Sequence, residues 1–161
     1  MKVLLVEDDP VQAMIISRFL HQSPELEIEL EQVGTLGAGI DRVKQGGVDL
    51  VILDLNLPDS DGIHTVRRMH ATVEDLPIVV LTGEKDDELA YFCIGEGAQD
   101  FVSKDGLTPK ALMRSLRYAK TRMKENVTLK CMVRELAETK ARMEELAVQD
   151  GLTGLLNRRG L

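Results

Sequence analysis

Leu50-Val51-Ile52-Leu53-Asp54-Leu55-Asn56-Leu57-Pro58-Asp59-Ser60-Asp61-Gly62 is the stretch from which the rest of the chain is best read. Val51, Ile52 and Leu53 are apolar on consecutive positions, which a strand covered on both faces demands and a half-exposed strand does not. The run stops at a single carboxylate, Asp54, and loop signals follow at Pro58 and Asp61-Gly62. Working outward, Ile78–Leu81 repeats the pattern, and Lys2–Val6, Ile28–Gln32 and Asp100–Val102 complete a set of five short strands. Segments of helical period alternate with them. The prediction is an α/β fold: a doubly wound, five-stranded parallel sheet with helices on both faces.

Helix starts are marked by caps. Asp9-Pro10 places a capping carboxylate before proline at the first helical position, and Val11, Met14, Ile15 and Phe19 then form an apolar stripe. Thr35 precedes a second stripe of Leu36, Ile40 and Val43, and Thr108-Pro109 repeats the cap-then-proline device. Residues 110 to 150 contain neither glycine nor proline, so a helix of about 60 Å is expected, longer than a small domain can cover. Its first part carries Leu112, Leu116, Ala119 and Met123. Its second part carries Leu129, Met132, Leu136, Thr139, Met143 and Leu146, alternately three and four residues apart, the seam of a coiled coil. The two stripes slip register near Asn126 and Lys130. The expected organisation is a domain over 1–120, a coiled-coil helix over 121–149 that pairs two chains in parallel, and a terminal piece over 150–161.

Charge is divided along the chain. Residues 1–108 hold 8 basic and 21 acidic residues, net −13, and residues 109–161 hold 12 and 6, net +6. An acidic head repels phosphate backbones, which argues against direct nucleic-acid binding. With 43% hydrophobic and 29% charged residues and no long apolar run, neither a membrane span nor a signal peptide is expected. Cys93 and Cys131 are far apart and match no metal spacing, so two free thiols in a cytoplasmic protein are expected. His21, His64 and His70 do not cluster and are read as surface or boundary residues.

In an open α/β sheet the crevice lies at the carboxyl ends of the strands, where Glu7-Asp8-Asp9, Asp54, Thr82 and Lys104 would meet. Converging carboxylates repel one another unless a hard cation such as Mg²⁺ sits among them. These residue types suit phosphoryl transfer, which needs positioning and charge stabilisation. Asp54 would be the nucleophile, Lys104 would pair with a phosphoryl oxygen, and the Thr82 hydroxyl would donate to another. Asp9 serves as the helix cap.

Val6-Glu7-Asp8-Asp9, Leu53-Asp54-Leu55-Asn56-Leu57-Pro58-Asp59 with Asp61-Gly62, Leu81-Thr82-Gly83 and Val102-Ser103-Lys104 resemble the motifs of response-regulator receiver domains, over roughly residues 1–120. The resemblance implies a flavodoxin-like sheet of order 2-1-3-4-5, with phosphorylation of Asp54. It implies Mg²⁺ (or Mn²⁺) held by Asp8, Asp54 and the Asn56 backbone carbonyl, with Glu7 acting through water. It also implies a sensor histidine kinase or phosphotransfer protein as donor, and a switch of Thr82 and Phe101. Asn56 and Glu84, two residues beyond Asp54 and Thr82, would tune the lifetime of the phosphoryl group. The family usually has proline after the lysine, joined by a cis bond; here Asp105 follows, a trans bond is expected, and the position of Lys104 is less secure.

Asp150-Gly151-Leu152-Thr153-Gly154-Leu155-Leu156-Asn157-Arg158-Arg159 is similar to the segment that opens GGDEF-type diguanylate cyclase domains. No GGDEF or GGEEF sequence follows. The expectation is a fragment, itself no enzyme, of a longer regulator that makes cyclic di-GMP. Two alternatives are weaker. A haloacid-dehalogenase-type phosphatase wants Asp-x-Asp, but Asn56 stands where the second carboxylate belongs. A receiver driving DNA binding through its basic helix lacks a helix-turn-helix partner.

Overall fold

The computed structural model describes residues 1–22, 27–83 and 87–148. Strands β1 (Lys2–Val6), β2 (Glu29–Val33), β3 (Leu50–Asp54), β6 (Ile78–Thr82) and β7 (Asp100–Ser103) form one sheet, all pairings parallel, in the order β2-β1-β3-β6-β7. Two-residue strands β4 (Asn56–Leu57) and β5 (Ser60–Asp61) form a separate antiparallel hairpin between β3 and the next helix. Without that hairpin the order reads 2-1-3-4-5, the flavodoxin-like arrangement expected. The helices are α1 (Pro10–His21), α2 (Leu36–Lys44), α3 (Gly62–Thr72), α4 (Asp87–Gly95) and α5 (Pro109–Val148). Among the described residues no helix is long and apolar enough to cross a membrane.

The central strands are apolar at every turn because both faces are covered. Val3, Leu5, Ile52, Val79 and Leu81 pack with Ala13, Ile16 and Leu20 of α1 and Leu112, Leu116 and Ala119 of α5. Leu4, Val6, Val51, Leu53, Ile78 and Val80 face the other way, onto Leu36 and Val43 of α2, Val66 and Met69 of α3 and Cys93 of α4. Ile52 is fully buried, and truncating such a side chain to alanine costs about 2–5 kcal/mol. Helix α2 lies so close to β1 that a Cβ on Gly39 would stand 2.9 Å from Val6 Cγ2 and 3.2 Å from Met69 Cε.

The caps form as expected. Asp9 Oδ1 accepts from Val11 N at 2.8 Å, and the Thr35 and Thr108 hydroxyls accept from Ala38 N and Ala111 N, each at 3.2 Å. The α1 stripe is corrected: Val11 and Met14 are 59% and 69% exposed, while Ala13, Ile16 and Leu20 face the core. That helix is apolar nearly all round, so its pattern does not select a face, and the direction in which Asp9-Pro10 starts it decides. Strand β2 is shifted by one residue from its expected bounds, because pairing with β1 begins at Lys2 with Glu29.

The chain divides into two units, Met1–Met123 and Lys124–Leu161. In the first, Leu112, Leu116, Ala119 and Met123 are buried as their stripe predicts. There too, Gln99 ties the start of β7 to its surroundings: its Oε1 accepts from Ile78 N at 2.6 Å, and its backbone carbonyl accepts from Arg122 Nη1 at 3.0 Å. In the second, Leu129, Met132, Leu136 and Met143 lie on the exposed surface of α5. The Leu146 side chain and the cyclase-like segment 150–161 lie outside the described residues.

Candidate functional site

Parallel order brings the carboxyl ends of β1, β3, β6 and β7 to the same edge of the sheet. Glu7 and Asp8 follow β1; Asp54 and Thr82 are the last residues of β3 and β6; Lys104 follows β7. Asp54, expected just past its strand, is therefore held by the ladder itself, paired with Leu81. The Lys104 backbone N–H donates to Thr82 O at 2.7 Å, which fixes the chain where its side chain departs. Among the described residues no peptide bond is cis, so the bond to Asp105 is trans as expected.

The site is mostly buried. Glu7 is 0%, Asp54 3% and Thr82 6% exposed, while Asp8 is exposed. Lys104 Nζ lies 2.9 Å from Asp54 Oδ2 and 2.8 Å from Glu7 Oε2, the latter an ion pair whose approach falls outside hydrogen-bond angles. Glu7 is anchored by its backbone, its N–H donating to Val33 O at 3.0 Å and its Oε1 accepting from Asp9 N at 3.3 Å. Burial, reinforced by the Asp54 charge, pushes the Glu7 carboxyl above the usual carboxylate range despite Lys104. Burial opposes the Lys104 ammonium, but its close contacts with the Glu7 and Asp54 carboxylates outweigh it and raise its pKa, so the lysine is held charged. A direct Glu7–Lys104 pair was not visible in the sequence, since nothing in the 96 intervening positions announces it.

Two observations test whether a cation fits. Glu7, Asp8 and Asp54 can each offer a carboxylate oxygen within 4.8 Å of the others. Asp54 Oδ1 is buried without a hydrogen-bond partner. Three carboxylates against one ammonium leave a local charge of about −2, which a divalent cation would neutralise. The residues fit the group.

The remaining expected residues fall nearby or outside the description. Asn56 is exposed, two residues past Asp54, in the hairpin opposite Asp61. Phe101 is half-buried on β7 and meets Tyr91 of α4 edge-to-face, with ring centroids 6.0 Å apart. Glu84 lies outside the described residues. His21 and His64 are exposed and His70 is half-buried, as their sequence context suggested.

Comparison with known proteins agrees with this architecture. The swarming motility regulation protein RssB of Serratia marcescens is 32% identical over 114 residues, covering 71% of this chain and 51% of that protein. The cell cycle transcriptional regulator CtrA of Caulobacter vibrioides is 34% identical over 104 residues, covering 65% of this chain and 44% of that protein. The chain thus spans about half the length of these relatives. The signal receiver domain of an HD domain-containing protein from Pseudomonas fluorescens Pf-5 superposes with a TM-score of 0.68 at 25% identity, covering 79% of this chain and 91% of that one. Residues 3–117 match the response regulator receiver domain model, and on that match the chain belongs to the receiver family of two-component response regulators.

Proposed function

We propose that Asp54 is the phosphoacceptor of this receiver and that Glu7, Asp8 and Asp54, with the Asn56 backbone carbonyl, hold Mg²⁺ or Mn²⁺ beside it, Glu7 acting through water. The observation that carries the reading is the Asp54 carboxylate itself: one oxygen is paired with Lys104 and the other is buried without a partner. The phosphodonor would be a sensor histidine kinase or a phosphotransfer protein. The bond from phosphorus to the donor's imidazole nitrogen breaks as a bond to an Asp54 oxygen forms, and the imidazole keeps the electron pair. A bound divalent cation supplies charge neutralisation for the incoming group.

The chain's own residues do the rest. Lys104, held charged by two carboxylates, can exchange one of them for a phosphoryl oxygen without leaving its place. Thr82, at the end of the neighbouring strand, offers a hydroxyl donor on the same edge. Phe101, against Tyr91, is the partner of Thr82 in the switch, and lacking a hydroxyl it acts through packing alone. Asn56 and Glu84 are candidates for setting the lifetime of the acyl phosphate.

The output reading rests on sequence. The receiver would act through α5, paired with a second copy along Leu129, Met132, Leu136, Thr139 and Met143, on a diguanylate cyclase domain that begins near Asp150. A second reading, control of transcription, is favoured by relatives such as CtrA, named as a transcriptional regulator. Reading the gene beyond Leu161 separates the two. For the site, intact mass after treatment with acetyl phosphate and Mg²⁺ should rise by one phosphoryl group in the wild type and stay unchanged in Asp54→Asn; an equal gain in the variant overturns the assignment.

A further inference from the structure

Within the second unit, α5 exposes a narrow apolar stripe: Leu129 is 59%, Met132 58%, Leu136 73% and Met143 66% exposed. With Leu129, Leu136 and Met143 as heptad position a and Met132 and Thr139 as d, the flanking e positions are Val133 and Lys140, and the g positions are Thr128, Glu135 and Arg142. A shallow groove on this helix is bounded by Leu136, Thr139, Lys140, Met143 and Glu144. The first four are successive a, d, e and a positions. Those are the corners of a hole that receives a knob from a facing helix.

We propose that a second copy of this chain fills that hole in parallel and in register, with Glu135 of each chain paired to Lys140 of the other. The proposal rests on the reading of α5 as a parallel dimer seam and adds the charge pair that fixes its direction and register. In a parallel pair each g residue faces the e residue of the next heptad across the seam. Glu135 then meets the partner's Lys140, twice by symmetry, and the Thr128 methyl meets the partner's Val133. In a reversed pair g faces g and e faces e. Glu135 could then meet the partner's Arg142, but Lys140 would be set against the partner's Val133, an ammonium on an apolar side chain. Parallel pairing gives every described e residue a compatible neighbour. Lys140 is available for it: its contact with Glu144 in the same helix is 3.8 Å, between side chains 75% and 68% exposed. Thr139 at d weakens the seam and, as a polar residue there, helps to fix its register.

The test is sedimentation equilibrium of the 161-residue chain under reducing conditions and low salt. Lys140→Glu and Glu135→Lys should each weaken self-association about tenfold, since two attractions become two repulsions. Mixing the two variants, one fluorescently labelled, should produce a mixed dimer tighter than either alone, because each supplies the charge the other lacks. Arg142→Glu should leave association unchanged. Weakening by Arg142→Glu with no effect of Lys140→Glu, or a mixture without preference, overturns the parallel arrangement while leaving a dimer. A wild-type chain that stays monomeric overturns the seam reading itself, and the direction with it.

Discussion

Asp59, in the turn of the β4–β5 hairpin, caps a helix that begins 23 residues earlier: its Oδ1 accepts from Leu36 N at 2.8 Å, and its Oδ2 accepts from Gly37 N at the same distance. The segment that follows Asp54 is thereby tied to the start of α2, which already has its own local cap in Thr35. Two backbone donors that a helix start leaves free are satisfied by a carboxylate, which the helix dipole also favours.

Asp59→Ala should therefore lower stability by about 1–2 kcal/mol in urea denaturation at neutral pH. Burial opposes the Asp59 charge, but the Gly37 and Leu36 N–H groups outweigh it and lower its pKa. A carboxyl with a lowered folded pKa contributes stability above its unfolded pKa and loses it as pH falls through the folded one. The gap between wild type and variant should thus be full at neutral pH and close on acidification through the carboxylate range; a gap that widens in acid would refute the cap.

Removing the lysine should expose the repulsion it hides. In Lys104→Met, Glu7 and Asp54 remain as neighbouring buried carboxylates, and a loss of about 1–3 kcal/mol is expected, reduced from the fully buried case because Lys104 is partly exposed. The loss should shrink at low pH, where Glu7, its pKa already raised by burial, takes up a proton. Thermal melts across pH measure it.

Magnesium should stabilise the chain by mass action, about 2.7 kcal/mol at a hundredfold excess over its dissociation constant. Melting temperature as a function of Mg²⁺ concentration should rise in the wild type and stay flat in Asp8→Ala, whose exposed carboxylate does not hold the fold together. An undiminished rise in that variant would remove Asp8 from the ligand set.

Gly97, at the turn after α4, has φ +109° and a position where a Cβ would stand 2.4 Å from the His70 ring. Gly97→Ala should cost about 1–3 kcal/mol for the backbone and the overlap together. In Gly97→Ala/His70→Ala the overlap is relieved and only the backbone cost remains, so the double variant should lose less than the two single losses added; additive losses would mean that the contact carries no energy.

Much of this was legible in advance for a physical reason. Strands covered on both faces need unbroken apolar runs, and Val51–Leu53 and Ile78–Leu81 show them, so the edge carrying Asp54 and Thr82 could be placed from sequence. What escaped depends on three-dimensional partners. Helix α1 offers apolar residues on most sides, so only the packed structure shows that Ile16, not Met14, turns inward. The hairpin at Asn56–Asp61 has strands too short for any periodicity. Lys104 lacked its usual proline, yet the Thr82 carbonyl and two carboxylates hold it in place, a restraint distributed over three strands.

Strand β7 has only four residues, and each end of it is spoken for. Lys104 leaves one end toward Asp54, and at the other the Gln99 carbonyl is held by Arg122, the residue next to the last of the first unit. The strand thus spans from the carboxylate pocket to the Arg122 turn of α5, and four residues of extended chain, rather than a loop, set the distance between those two anchors.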